Sequence, residues 1–164
     1  MSDILDEINR LKNKKKGYEE QLERIRRESK DTDRIINTVD AAINNLRNNK
    51  NSFIIYGEPQ SGKTEMMIAL TSKLIDEDYK LVIVLVNDNV HLKEQNKDRF
   101  IEAHVTPIPV DYLEILSTKV KIDHDTQMVI FCKKNSKDLQ KLLDKVDKFQ
   151  RKVIIDDEAD YATP

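Results

Sequence analysis

Two short segments hold residue types that could do phosphate chemistry. The first, Gly57-Glu58-Pro59-Gln60-Ser61-Gly62-Lys63-Thr64, satisfies the pattern G-x-x-x-x-G-K-[ST] in full and is followed by Glu65. Gly57 and Gly62 let the backbone turn and present its N–H groups to phosphate oxygens, and a helix starting there adds its positive end. In this reading residues 57–65 cradle the phosphates of ATP, Lys63 reaches the β and γ phosphates, and the Thr64 hydroxyl ligates magnesium. The competing reading is a surface glycine turn with an incidental lysine. The second segment is Asp156-Asp157-Glu158-Ala159-Asp160, which ends the apolar run Val153-Ile154-Ile155. A strand that ends in acids can place one carboxylate beside magnesium and the next beside the water that attacks the γ phosphate. Those roles fall to Asp157 for the metal and Glu158 for catalysis. Asp156 competes for the metal if the strand end shifts by one residue. An acidic strand end alone is usually a solvated boundary; joined to the phosphate loop by a succession of strands and helices, it reads as an ATPase motif.

The elements that must position these residues follow from hydrophobic spacing. Ser52–Tyr56 reads as a strand leading into the loop, and Met66, Met67, Ile68, Leu70, Leu74 and Ile75 give the following helix a buried face. Leu81–Val86 reads as a buried strand, then Asn87–Asn89 as a loop and a polar helix from about Val90 to Phe100. Pro107 and Pro109 demote His104–Val110 to an edge strand or connector. Asp111 caps a short helix to Thr118, Met128–Cys132 is another strand, and Ser136–Phe149 another helix. Lys152–Ile155 is the last strand. Strands alternating with helices predict a parallel sheet covered on both faces.

The preceding residues differ in character. From Met1 to about Lys50 there is no proline and one glycine, Gly17, and apolar residues recur at spacings of three and four. The seam weakens at Lys15, Ser29 and Thr32. The expectation is a helix over about 3–28 and another over about 32–48, with a bend between them where Ser29–Asp33 supply caps. The domain plan is therefore a helical extension over 1–50 and a nucleotide-binding domain over 51–164. The extension has three readings: an appendage packed on its own domain, a self-associating coiled coil, or a basic arm for DNA built on Lys12, Lys14, Lys15, Lys16, Arg24, Arg26 and Arg27.

Composition narrows the field further. The 164 residues carry 28 Lys and Arg against 30 Asp and Glu, a formal charge of −2, which excludes a uniformly basic nucleic-acid coat while leaving a local basic face open. Cys132, the one cysteine, cannot form an internal disulfide, and no apolar run is long enough for a spanning helix, so a cytoplasmic setting with no membrane partner is expected. His91, His104 and His124 lack metal-ligand spacing.

The phosphate loop together with Asp157-Glu158-Ala159-Asp160 resembles the first RecA-like domain of superfamily-two helicases and translocases. Tyr56–Thr64, Val84-Leu85 with Leu92, Gln95 and Arg99, Phe131–Asn135 with Leu139 and Leu142, and Asp156–Asp160 together look like the Z-one endonuclease-associated domain of bacterial restriction and defence proteins. The similarity spans about residues 52–162. It implies a P-loop NTPase, RecA-like three-layer α/β sandwich that binds and hydrolyses ATP with magnesium to remodel or translocate on DNA. It also implies that Asn87–Arg99 approaches nucleic acid, with Leu92 structural and Gln95 and Arg99 as candidate contacts. For Arg99 a solvated helix charge competes equally. Lys133 and Lys134 divide between a functional role and charges ending a buried strand, Asn135 reads as a helix cap, and Cys132 as a buried strand residue.

The chain ends four residues after Asp160. The resemblance therefore implies a domain incomplete at its C-terminus, whose partners in the intact protein are a second RecA-like domain and a nuclease region. Weak or absent turnover is expected from the isolated fragment, and no separate nuclease carboxylate set is visible. The alternative function is a P-loop nucleotide switch or assembly module acting through protein contacts, with residues 1–50 as a surface for self-association.

Overall fold

A computed structural model describes residues 17–28, 30–57, 62–117 and 122–157. The described elements run α1 (Gly17–Arg27), α2 (Asp33–Arg47), α3 (Lys63–Asp76), β1 (Leu81–Val86), α4 (Val90–Glu102), β2 (Val110–Asp111), α5 (Tyr112–Ser117), β3 (Met128–Lys133), α6 (Ser136–Val146) and β4 (Lys152–Asp156). The four strands form one sheet in the order β2-β3-β1-β4, parallel at every pairing. β1 is central and buried along its whole length, as its unbroken run Leu-Val-Ile-Val-Leu-Val requires of a parallel strand covered on both sides.

The two-residue period of the strands separates two cores. Val82, Val84 and Val86 of β1, Val129 and Phe131 of β3, and Val153 and Ile155 of β4 face α1, α2, α3 and Phe100 of α4. Leu81, Ile83, Leu85, Ile130 and Cys132 face α5, α6 and Phe149. The result is three layers, helices on a parallel sheet on helices. α3 is buried around most of its circumference because the sheet lies on one side and α1 and α2 on the other; even Thr71 and Ser72 are buried. Tyr18, Leu22, Ile25, Val39 and Ile43 of the two front helices belong to the same cluster as Met67 and Leu74 of α3.

The local signals for the helices hold with small shifts. Asn89 caps α4 by accepting from the backbone N–H groups of His91 and Leu92, and Asn135 caps α6 in the same way through Lys137 and Asp138. Asp111 accepts from the Leu113 N–H at 2.8 Å to start α5. Asp31, rather than Thr32, supplies the side-chain oxygen for the start of α2, accepting from Asp33 at 3.0 Å. Residues 1–16, and with them the first part of the expected front helix and Lys12–Lys16, lie outside the described residues.

One expected element is corrected. Ser52–Tyr56 is not a strand of the sheet. Its burial still alternates as an extended chain's would, with Phe53 and Ile55 half-buried on the α3 side and Ile54 and Tyr56 each 86% exposed. A strand needs a neighbour for its N–H and C=O groups, and here the described sheet ends at β4, with Ile55 and Ile154 both lining a cleft of about 2310 Å3. The proline-bearing connector contributes only Val110–Asp111 to the sheet, paired with Ile130 and Phe131.

Candidate functional site

Gly62 precedes α3 with φ of 79° and ψ of 27°, the left-handed region that a side chain adopts at a cost. A Cβ there would meet nothing within 4 Å, so backbone conformation rather than crowding calls for glycine. The first bond of the helix runs from the Met66 N–H to the Gly62 carbonyl at 3.0 Å, and the N–H groups of Lys63, Thr64 and Glu65 therefore point out of the helix start. A left-handed residue feeding a 14-residue helix leaves the electropositive helix end open to an anion. Lys63 is exposed at its rim and Thr64 half-buried beside it. Glu58, Pro59, Gln60 and Ser61 lie outside the described residues, while Gly57 and Gly62 bracket them.

The acidic segment reaches the same cleft from the sheet. Asp156 and Asp157 line it together with Gly57, Lys63 and Thr64. The two aspartates face opposite ways. Asp156 pairs with Leu85 in the β1–β4 ladder and thus belongs to the α6 face of the sheet, where the Lys134 ammonium holds it at 2.6 Å. Asp157 continues the face of Val153 and Ile155, the α3 side, and its N–H donates to the Leu85 carbonyl at 2.9 Å. Glu158, Ala159 and Asp160 lie outside the described residues.

Glu65 and Thr64 both have partners from distant elements. The Glu65 carboxylate is gripped by Arg24 of α1 and by Lys30, the latter at 2.9 Å. Burial alone would raise its pKa, but hydrogen bonds from Arg24 and Lys30 and their positive charge outweigh it and hold the carboxyl below the usual range. Its side chain is thus turned to α1, leaving its backbone N–H at the helix start. Arg99 of α4 is exposed, and its guanidinium donates to the Thr64 hydroxyl at 3.3 Å. The structure brings this candidate nucleic-acid residue to the first turn of α3. Gln95 is exposed on the same helix, at a distance in sequence of one turn. Leu92, expected to be structural, is instead 44% exposed, because the buried positions of α4 fall to Lys93 and Phe100.

Lys133 and Lys134 end β3 in ion pairs, with Asp88 at 2.8 Å and with Asp156. Cys132 is fully buried, and that burial pushes its thiol pKa up to about 12. Sequence reasoning missed the buried ion pair between Lys93 and Asp111, with the Lys93 ammonium 5.3 Å from the Tyr112 ring centroid. It also read Arg24 only as one charge in a basic run. The available signal was Glu65, an acid in the first turn of a helix due to be buried, which needs a cation that spacing alone does not identify.

The family model described as "Type III restriction enzyme, res subunit" matches residues 7–163. No curated protein and no solved structure matches the chain.

Proposed function

The chain belongs to the type III restriction enzyme res-subunit family, and on that premise we propose that it is the first RecA-like domain of a DNA-dependent ATPase motor in a bacterial restriction or defence protein, of the Z-one endonuclease-associated kind. The family is one of helicase-like P-loop ATPases that act on DNA, and the four-stranded parallel sheet with helices on both faces is the matching architecture.

The observation that carries the reading is the meeting of two segments distant in sequence. The left-handed Gly62 with the start of α3, and the acidic end of β4, form walls of one cleft. The donor set fits a magnesium nucleotide: outward backbone N–H groups and Lys63 for phosphate, and the Thr64 hydroxyl with the Asp157 carboxylate for a hard divalent cation. Magnesium bound there would neutralise charge developing on the β and γ phosphates. Within the chain itself, residues 57–65 bind and orient the phosphates, Lys63 stabilises the transferring group, and Thr64 and Asp157 hold the metal. Glu158, next after Asp157, orients and deprotonates the attacking water. Asp156 is assigned to the Lys134 pair rather than to the metal. Gln95 faces nucleic acid. The extension over 1–50 and the ATPase domain over 51–164 serve as one nucleotide-binding unit, completed in the intact protein by a second RecA-like domain and a nuclease region.

The test is magnesium-dependent ATP turnover by the intact protein, with and without single-stranded and duplex DNA, beside Lys63→Ala. DNA-stimulated turnover that disappears in the variant is the expected result. Turnover indifferent to every DNA would overturn the motor and leave a nucleotide-driven assembly module.

A further inference from the structure

Gln21 is the one strongly buried amide in α1, 3% exposed, and both ends of its side chain are used. Its Nε2 donates to the carbonyl of Ala103, the C-cap residue of α4, at 2.7 Å. Its Oε1 accepts from Arg24 Nε at 3.0 Å, which fixes the plane of the guanidinium. Arg24 then grips the Glu65 carboxylate through one terminal nitrogen and Glu28 through the other, at 3.0 Å for Glu28. Lys30 closes the arrangement on the far oxygen of Glu65. A continuous chain of hydrogen bonds thus runs from the end of α4, through α1, to the first turn of α3. The same end of α4 reaches α3 a second time, because Arg99, whose carbonyl accepts from the Ala103 N–H, donates to Thr64. Thr64 and Glu65 are adjacent, so α4 and α1 hold consecutive residues of the helix start that presents the phosphate-binding N–H groups.

Such a strut has a physical task. The first turn of a helix has only part of its hydrogen-bond ladder, so its backbone N–H groups are held in place less firmly than those further along. A partly desolvated guanidinium whose Nε and other terminal nitrogen are already held by Gln21 and Glu28 presents its remaining N–H to Glu65 in a fixed plane, which a lone lysine does not. We propose that Arg24, oriented by Gln21 and acting through Glu65, is a positioning residue for nucleotide binding, so that helix α1 is a working part of the phosphate site rather than a spacer before it. This rests on the reading of residues 57–65 as the phosphate loop.

The experiment measures magnesium-dependent binding of a fluorescent ADP analogue to the full chain, with thermal unfolding recorded on every sample. The variants are Arg24→Gln, Glu65→Gln, the double variant, the charge exchange Arg24→Glu with Glu65→Arg, and Lys63→Ala. Arg24→Gln and Glu65→Gln should each weaken binding about five- to tenfold, and the double variant no more than either single one, because the two act as one pair. The charge exchange should recover part of the loss. A merely stabilising pair would shift the unfolding midpoint while leaving affinity untouched in protein that is still folded, and that result overturns the proposal. So would additive losses in the double variant. Binding by the native chain that Lys63→Ala abolishes but Arg24→Gln leaves intact would refute the strut alone; no binding by the native chain would refute the phosphate-loop reading, and the strut with it.

Discussion

Asp156→Asn and Asp157→Asn should have opposite effects although the residues are neighbours. The register of the β1–β4 pairing places Asp156 opposite Leu85, on the α6 side of the sheet, and gives Asp157 the side of Val153 and Ile155, which is that of α3. Asp156 has a defined task of its own in its ion pair with Lys134. With side chains 13% and 37% exposed, the pair is partly screened, so neutralising Asp156 should cost about 0.5–1 kcal/mol of stability. For a domain of this size that is a fall of roughly 1–4 °C in unfolding midpoint. Nucleotide turnover should stay within about twofold of the native value. On the proposed assignment, Asp157→Asn instead removes a charged magnesium ligand, a loss of roughly 3 kcal/mol or more in transition-state stabilisation, about a hundredfold in turnover. ATP hydrolysis by the intact protein, titrated with magnesium, and thermal unfolding of the same samples read both quantities. If Asp156→Asn lost turnover while Asp157→Asn kept it, the strand end would be shifted by one residue and the face assignment would be refuted.

Two further outcomes follow from buried groups. Lys93→Met leaves the Asp111 carboxylate buried without its cation and should destabilise the chain by about 3 kcal/mol, read from urea unfolding, whereas adding Asp111→Leu should restore only part of the loss, because it also removes the carboxylate that caps α5; a cost under about 1 kcal/mol for Lys93→Met would contradict the placement of this pair. Cys132, whose thiol is raised from 9.0 to about 12 by burial, favours folding fully below about pH 9 and loses that contribution as pH rises from 9 towards 12, since the unfolded thiol ionises first; a maleimide reagent at pH 8 should label the urea-unfolded chain rapidly and the native chain hardly at all, and equal rates would contradict its burial.

What the sequence could reveal depended on whether the relevant partner was local. Asn89 and Asn135 cap helices within three residues of themselves; Asn135 was legible as a cap, while Asn89 was legible only as the end of the loop before a helix. The unbroken apolar run of β1 identified a doubly covered parallel strand because its burial is written into its own residues. Ser52–Tyr56 has strand composition too, but strand status is conferred by a neighbour's backbone, and the described sheet ends at β4. The same distinction governs the candidate site. Gly62 could be recognised from its spacing to Lys63, since the left-handed turn and the helix start are one local structure. The roles of Asp156 and Asp157 could not be separated by spacing, because adjacent residues on a strand differ only in the face they take, and the face is set by pairing with Leu85. Arg24 was one cation among several in a basic run until the packing of α1 on α3 placed it beside Glu65. Charges in such a run are therefore poor guides to nucleic acid unless their partners are known: Arg24 is committed to Glu65 and Glu28, and Arg27 lies 3.7 Å from Glu23. The front helices consequently owe their place to Tyr18, Leu22, Ile25, Val39 and Ile43 in the shared core, and Arg24 and Lys30 are committed to Glu65 of α3.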